Sequence, residues 1–176
     1  MTPGQLRELL DYNPLTGVLY WRPRTGGSEH YRKIWDANHA NKPAMTYVNK
    51  GGYQQGMILR KTYLTHRVVW ALVHGEWPPS NLDIDHINRV KVDNRIANLR
   101  LATRAQNVCN RSQLKSKALP KGVQKVASGR YGAMCRHSGK PNWLGTFDTV
   151  EEAAAAYDAA AKNWHGEFAF QNHEAA

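Results

Sequence analysis

The stretch "LDIDHINRVKVDNRIANLRLATRAQNVCN", Leu82 to Asn110, is crowded with asparagine, arginine and an acid–imidazole pair, and holds little that can fill a core. So polar a segment in a folded chain is tolerated only where its side chains brace a loop or bind something. "LDIDHI" alternates as a strand, a polar loop follows, Ile96 and Leu99 mark a second short apolar stretch, and a helix begins near Thr103. Thr103 with Gln106 three residues on has the spacing of a capping box. Strand, loop, strand and helix therefore fall within about thirty residues.

The rest of the chain frames this segment. At 176 residues it suits one compact domain or two small ones. Net charge is +10 and the sequence pI about 9.8, which points to a polyanionic partner, most simply nucleic acid. The basic residues do not follow a long amphipathic helix with an apolar stripe, which disfavours a membrane surface. The N-terminus lacks the apolar run of a signal peptide, and no run of about 18 apolar residues is present to span a bilayer. Two cysteines without a CxxC pair argue against a cysteine zinc site and suit a reducing cytoplasm. No obligate protein partner is implied.

Charge also divides the chain. Residues 1–119 carry 18 Lys and Arg against 8 Asp and Glu, and residues 120–176 carry 6 against 6. The polar run from Asn110 to Gly122 marks the boundary, giving expected domains at 1–117 and 118–176. In the first, "PGQLRELLDY" reads as a helix and "NPLTG" as a turn before a strand "VLYWR". A hairpin pattern runs from Ala44 to Thr65, and Thr65 is expected to cap a helix that stops at Gly75. In the second, three short strands precede a helix opened by Thr149 and Glu152 and closed at Gly166.

The central chemistry follows from residue type. Hydrolysing a phosphodiester needs a base for water, a cation at the leaving oxygen and a scaffold for both. Asp85 offers the hard oxygen that Mg²⁺ or Mn²⁺ prefers. His86, with a reference pKa of about 6.5, can take a proton from water. The amide oxygen of Asn107, on the helix, can complete the protein ligands, with Asn110 one turn on as an alternative. On an ideal strand Asp85 and His86 face opposite ways, so a shared site requires a strand end or an irregularity. Arg100, Arg104 and Arg111 are candidates for backbone phosphates; His66 and His74 read as a helix-start residue and a structural or solvent-facing one.

These residues resemble the HNH endonucleases of the ββα-metal fold, in particular homing-endonuclease-like members encoded by phages. The likeness rests on the motif at 82–112, with intervals of 12 from His86 to Asn98 and 9 from Asn98 to Asn107, and on the preceding "YLTHRVVWALVHGEWPP". It implies one Mg²⁺ or Mn²⁺ on Asp85 and Asn107, His86 as general base, and Asn98 bracing the loop and orienting His86. Arg89 stands where that family usually has glycine, which questions the tightness of the turn. Residues 121–172 in turn resemble the Apetala-type DNA-binding domain of plant ethylene-response factors, through "KGV", "WLGTFDTVEEAAAAYDAAA" and "HGEFAFQN". By position Lys121, Arg136 and Trp143 fall on its DNA contacts, with Arg130 on the same basic strands, while Gln124, Val126 and Met134 replace charged positions. The expected architecture is α+β: a ββα-metal core with an N-terminal hairpin and helix region, then a three-stranded sheet on one helix. The expected activity is metal-dependent cleavage of double-stranded DNA, one strand at a time from one motif copy; the alternatives are a DNA-binding regulator without cleavage and an RNA-directed protein.

Overall fold

The structure, a computed structural model, describes residues 1–112 and 118–173. The chain is α+β and divides into two compact units, Met1–Thr103 and Arg104–Ala176. The expected boundary after residue 117 touches residues 113–117, which lie outside the described residues. The division falls earlier because helix α4 (Arg104–Cys109) packs with residues of its own C-terminal side: the Lys121 ammonium donates to the carbonyls of Cys109 and Arg111, each at 2.6 Å.

In the first unit, helix α1 (Pro3–Leu9) opens with a capping box between Thr2 and Gln5. It ends at Leu9, short of the sequence expectation, because Leu10–Asn13 forms strand β1 against β2 (Val18–Trp21). The alternating burial of the hairpin wins over local helix propensity there. Helix α2 (Glu29–His39), capped by Ser28, goes beyond the sequence expectation; it buries no residue fully. Strand β3 (Pro43–Ala44) completes the first sheet. A second sheet joins β4 (Tyr47–Val48), β5 (Gln54–Ile58) and β6 (Lys61–Leu64). Its last turn is Leu59–Arg60, both with positive φ, the two-residue geometry whose twist suits a hairpin.

Helix α3 (Thr65–His74) carries Val68, Val69, Ala71 and Leu72 into a core shared with Leu6, Leu10, Leu19, Ile58, Ile84 and Leu99. Its N-cap is Leu64, not Thr65: the Thr65 hydroxyl is buried and donates to the Met45 carbonyl at 2.8 Å, which removes it from capping. Gly75 ends the helix in the left-handed conformation, φ 78°. Strand β7 (Asp83–His86) then pairs antiparallel with β8 (Leu99–Ala102), with Asp85 opposite Arg100 and His86 opposite Leu99.

In the second unit, β9 (Val123–Lys125), β10 (Tyr131–His137) and β11 (Lys140–Phe147) form one antiparallel sheet in the order β11-β10-β9. Helix α5 (Val150–His165) lies on it, and the buried Ala153, Ala154, Tyr157 and Ala161 meet Val123, Ala133 and Cys135. Thr149 and Glu152 form the expected capping box. Alanine on the helix and small residues on β10 permit this close approach.

Candidate functional site

Strand β7 delivers two consecutive buried polar side chains, Asp85 and His86, each 4% exposed. Buried charge persists only when paired, and here the pairing register supplies the partner. Arg100 stands opposite Asp85 and places Nε 2.9 Å and an Nη 2.8 Å from Oδ2. Arg100, expected on a DNA phosphate, here faces the acid; cross-strand register decides this, and local sequence does not display it.

His86 is the last residue of β7, so it lies at a strand end. Its Nε2 lies 3.4 Å from Asn94 Oδ1. Asn94 is 1% exposed, and its Nδ2 donates to Gln54 Oε1 at 2.7 Å and to the Val92 carbonyl at 3.3 Å, so its oxygen is the atom facing the imidazole. That assignment puts the proton on Nε2 and the lone pair on Nδ1. Burial pushes the His86 pKa below its ordinary 6.5, outweighing the hydrogen bond it donates to Asn94 and the carboxylates of Asp85 and Asp93, which pull it upwards. The imidazole is therefore neutral at physiological pH, as a general base must be.

Asn94 faces His86, while Asn98, expected to brace the loop and to orient His86, holds the loop backbone. Asn98 Oδ1 accepts from the Asn88 amide at 2.9 Å and its Nδ2 donates to the Asp93 carbonyl at 2.9 Å. Asn94 is itself fixed from the N-terminal hairpin, where the Tyr12 hydroxyl donates to the Asn94 carbonyl at 3.0 Å and accepts from the Ile96 amide at 2.8 Å. Sequence reasoning missed Asn94, since an asparagine in a polar loop carries no local sign of burial. Arg89, in the usual glycine position, adopts φ 66°; its amide donates to the His86 carbonyl at 2.9 Å, so the turn closes with arginine in a conformation that costs about 1–2 kcal/mol. Asp93 is drawn well below the carboxylate range by Arg95, with Asn88 also donating to it.

Behind His86 lies a second buried imidazole. The His66 ring, 5% exposed, stands edge-on to His86 with centroids 5.2 Å apart, and Tyr53 closes the group at 5.3 Å from His66 and 5.9 Å from His86. Burial lowers the His66 pKa to about 3, helped by the charges of His86 and Arg67. Its Nδ1 has no hydrogen-bond partner among the described residues. His74 is exposed and stacks on Trp70 at 3.9 Å.

The remaining expected residues lie in the second unit. Asn107 sits half-buried on α4, Asn110 is 4% exposed, and Arg104 and Arg111 are exposed. The Lys121 ammonium, expected at DNA, faces the carbonyls that end α4 and lies 5.1 Å from the Phe170 ring. Arg130 pairs with Asp148 at 2.7 Å on the surface. Arg136 and Trp143 remain exposed, and the Trp143 indole lies over Gly132, where an added Cβ would sit 2.1 Å from the ring. A bulge between Ala133 and Met134 lets Leu144 pack inward while Trp143 stays out.

Among the described residues no group of three or more His, Cys, Asp or Glu is gathered, and the Asp85 carboxylate is the kind of hard oxygen donor that Mg²⁺ or Mn²⁺ prefers. No helix of the described residues is long and apolar enough to cross a membrane.

With this geometry in view, residues 63–109 match the family model described as HNH endonuclease. An uncharacterized HNH endonuclease, L560, of Acanthamoeba polyphaga mimivirus is 36% identical over 126 residues, covering 72% of this chain and 65% of that protein. These matches support an HNH endonuclease domain, and the chain spans about 65% of the length of that viral relative. The ethylene-responsive transcription factor ERF084 of Arabidopsis thaliana is 52% identical over 52 residues, 26% of this chain and 18% of the plant protein. A solved structure of the HNH homing endonuclease I-HmuI gives TM-score 0.40 at 20% identity, covering 89% of this chain and 85% of that one.

Proposed function

We propose that the protein is a divalent-metal-dependent DNA endonuclease of the homing type encoded by phages, hydrolysing phosphodiester bonds one strand at a time. The observation that carries this reading is His86: a buried, neutral imidazole ending β7, oriented by Asn94 and adjacent to Asp85, within the stretch matched by the HNH family. Asp85 and Asn107 would hold one Mg²⁺ or Mn²⁺, which when bound stabilises charge on the phosphate and the leaving oxygen. His86 Nδ1 takes the proton of the attacking water, and the Nε2 contact to Asn94 keeps the ring turned for it. Asn98 keeps the loop from Asn88 to Asp93 closed around that ring. Arg104 and Arg111 are assigned to DNA phosphates, and the sheet face bearing Arg136 and Trp143 to a second DNA contact of Apetala type, with a β-ribbon's fit to the major groove. Thiols at Cys109 and Cys135 suit a reducing cytoplasm.

Supercoiled plasmid with Mg²⁺ or Mn²⁺ tests the reading. The wild-type protein should give nicked circles, and His86→Ala should cut about 10² to 10⁴-fold more slowly. Cutting by His86→Ala at the wild-type rate removes the assignment. The similarity of the C-terminal stretch to plant transcription factors favours one second reading, a DNA-binding regulator; metal-independent binding without nicking at high protein concentration would establish it.

A further inference from the structure

We propose that Arg100 is a positioning residue which holds the Asp85 carboxylate and cancels its charge, so that the divalent ion binds weakly until a DNA phosphate arrives with it. This deepens the nuclease reading and depends on it.

The pair is built by register, since Asp85 and Arg100 face one another across β7 and β8. Their side chains are only 5% and 12% exposed, so water does little to screen them. Guanidinium does not lose its proton, and two of its nitrogens lie at 2.9 and 2.8 Å from the same oxygen, Oδ2, which anchors that oxygen and opposes its charge. The other proposed protein ligand, Asn107, is neutral, and so is His86 in its basic form. Asp93, the acid of the neighbouring loop, is engaged by Arg95 and Asn88. Ligands and guanidinium together thus offer a divalent ion oriented oxygens but no net negative charge. Mg²⁺ gives up its hydration shell reluctantly, and its sites lean on substrate phosphates for charge. The scissile phosphate supplies here what Arg100 has cancelled, so metal and DNA bind with positive coupling. Reciprocity then requires that the metal tighten DNA binding by the same factor.

Mn²⁺ binding, read by loss of the free-ion electron paramagnetic resonance signal, tests this without any cleavage. Titrations use the full chain in a His86→Ala background, which leaves the DNA intact, alone and with saturating duplex DNA. Mn²⁺ should bind at least about tenfold more tightly with DNA present. In the DNA-free protein, Arg100→Gln, which keeps an N–H donor but loses the charge, should tighten Mn²⁺ binding roughly tenfold, and Arg100→Lys, which keeps the charge but loses the planar fork, should tighten it less than Arg100→Gln does. Equal affinity with and without DNA overturns the proposal even where a variant fails to fold; so does unchanged or weaker binding by an Arg100→Gln protein whose melting curve matches its parent. Asp85→Asn separates the two levels. If it leaves Mn²⁺ binding intact, the ligand assignment of the nuclease reading falls; if it abolishes binding while Arg100→Gln changes nothing, only the role of Arg100 falls.

Discussion

Asn94 stands between the imidazole of His86 and the side chain of Gln54, with its own carbonyl held by Tyr12. Truncating it strands several buried polar groups at once, and each such group costs about 1–3 kcal/mol. Asn94→Ala should therefore lower stability by at least that amount and cut nicking more than tenfold, measured by urea unfolding and by plasmid assay below the unfolding midpoint. A variant as stable and active as its parent would show that the amide neither braces the loop nor turns the ring. The two buried imidazoles make a second prediction. The His66 pKa is about 3 in the fold against 6.5 for an ordinary histidine, so as pH falls the unfolded chain takes up its proton first. Stability from this group is complete above pH 6.5 and declines between 6.5 and about 3, by up to about 1.4 kcal/mol per pH unit. His66→Phe keeps an aromatic edge beside His86 and removes this slope; parallel urea melts at pH 7 and pH 4.5 should show a smaller loss of stability than in the wild type. His86 is shifted the same way, so the acid limb of the cleavage profile should lie below pH 6.5.

At the scale of elements, the β1–β2 hairpin supports the loop that follows β7. Gly17 in its turn has φ 75°, and a Cβ there would lie 2.5 Å from the Arg95 amide nitrogen and 2.7 Å from the Asn94 carbonyl carbon. These are backbone atoms of the loop that orients His86, so they cannot swing aside. Gly17→Ala combines a disfavoured backbone with this clash, and should destabilise by more than about 1 kcal/mol and depress nicking, although the residue lies far from the motif in sequence. Thermal melts and plasmid assays on one preparation would check both effects. The same element explains what the sequence could and could not disclose. The β7–loop–β8–α4 order and the α5 capping box were legible because period-2 alternation and cap residues are local signals. The end of α1 at Leu9 and the displacement of Thr65 from the cap were not, since strand pairing and a hydrogen bond to Met45 decide them. Asn94, Arg100 and Lys121 owe their roles to partners 8, 15 and 12 residues away or more, and a polar loop looks alike whether its side chains point in or out.

Across the whole chain, the charge of +10 is concentrated before residue 120, but part of it is already matched within the fold. Arg100 is matched to Asp85, Arg95 to Asp93, and the Lys121 ammonium to backbone carbonyls, so these three do not simply add to a phosphate-binding surface. The contacts must come from the exposed set, with Arg104, Arg111 and Arg136 as named members. If roughly 6–10 phosphates are neutralised, affinity should fall by about 10³ to 10⁵ between 50 and 200 mM salt. Single substitutions then separate the two kinds of arginine. Arg104→Ala or Arg111→Ala should reduce the slope of log affinity against log salt by about one unit, as expected when one released counterion is lost. Arg100→Gln, measured without divalent ions, should leave the slope unchanged, because its charge is already matched within the fold. Fluorescence anisotropy of a labelled duplex over a salt series provides all three slopes. A flat response of the wild-type protein would remove DNA as the partner of the basic surface, and a slope that drops with Arg100→Gln would return that residue to the phosphate backbone.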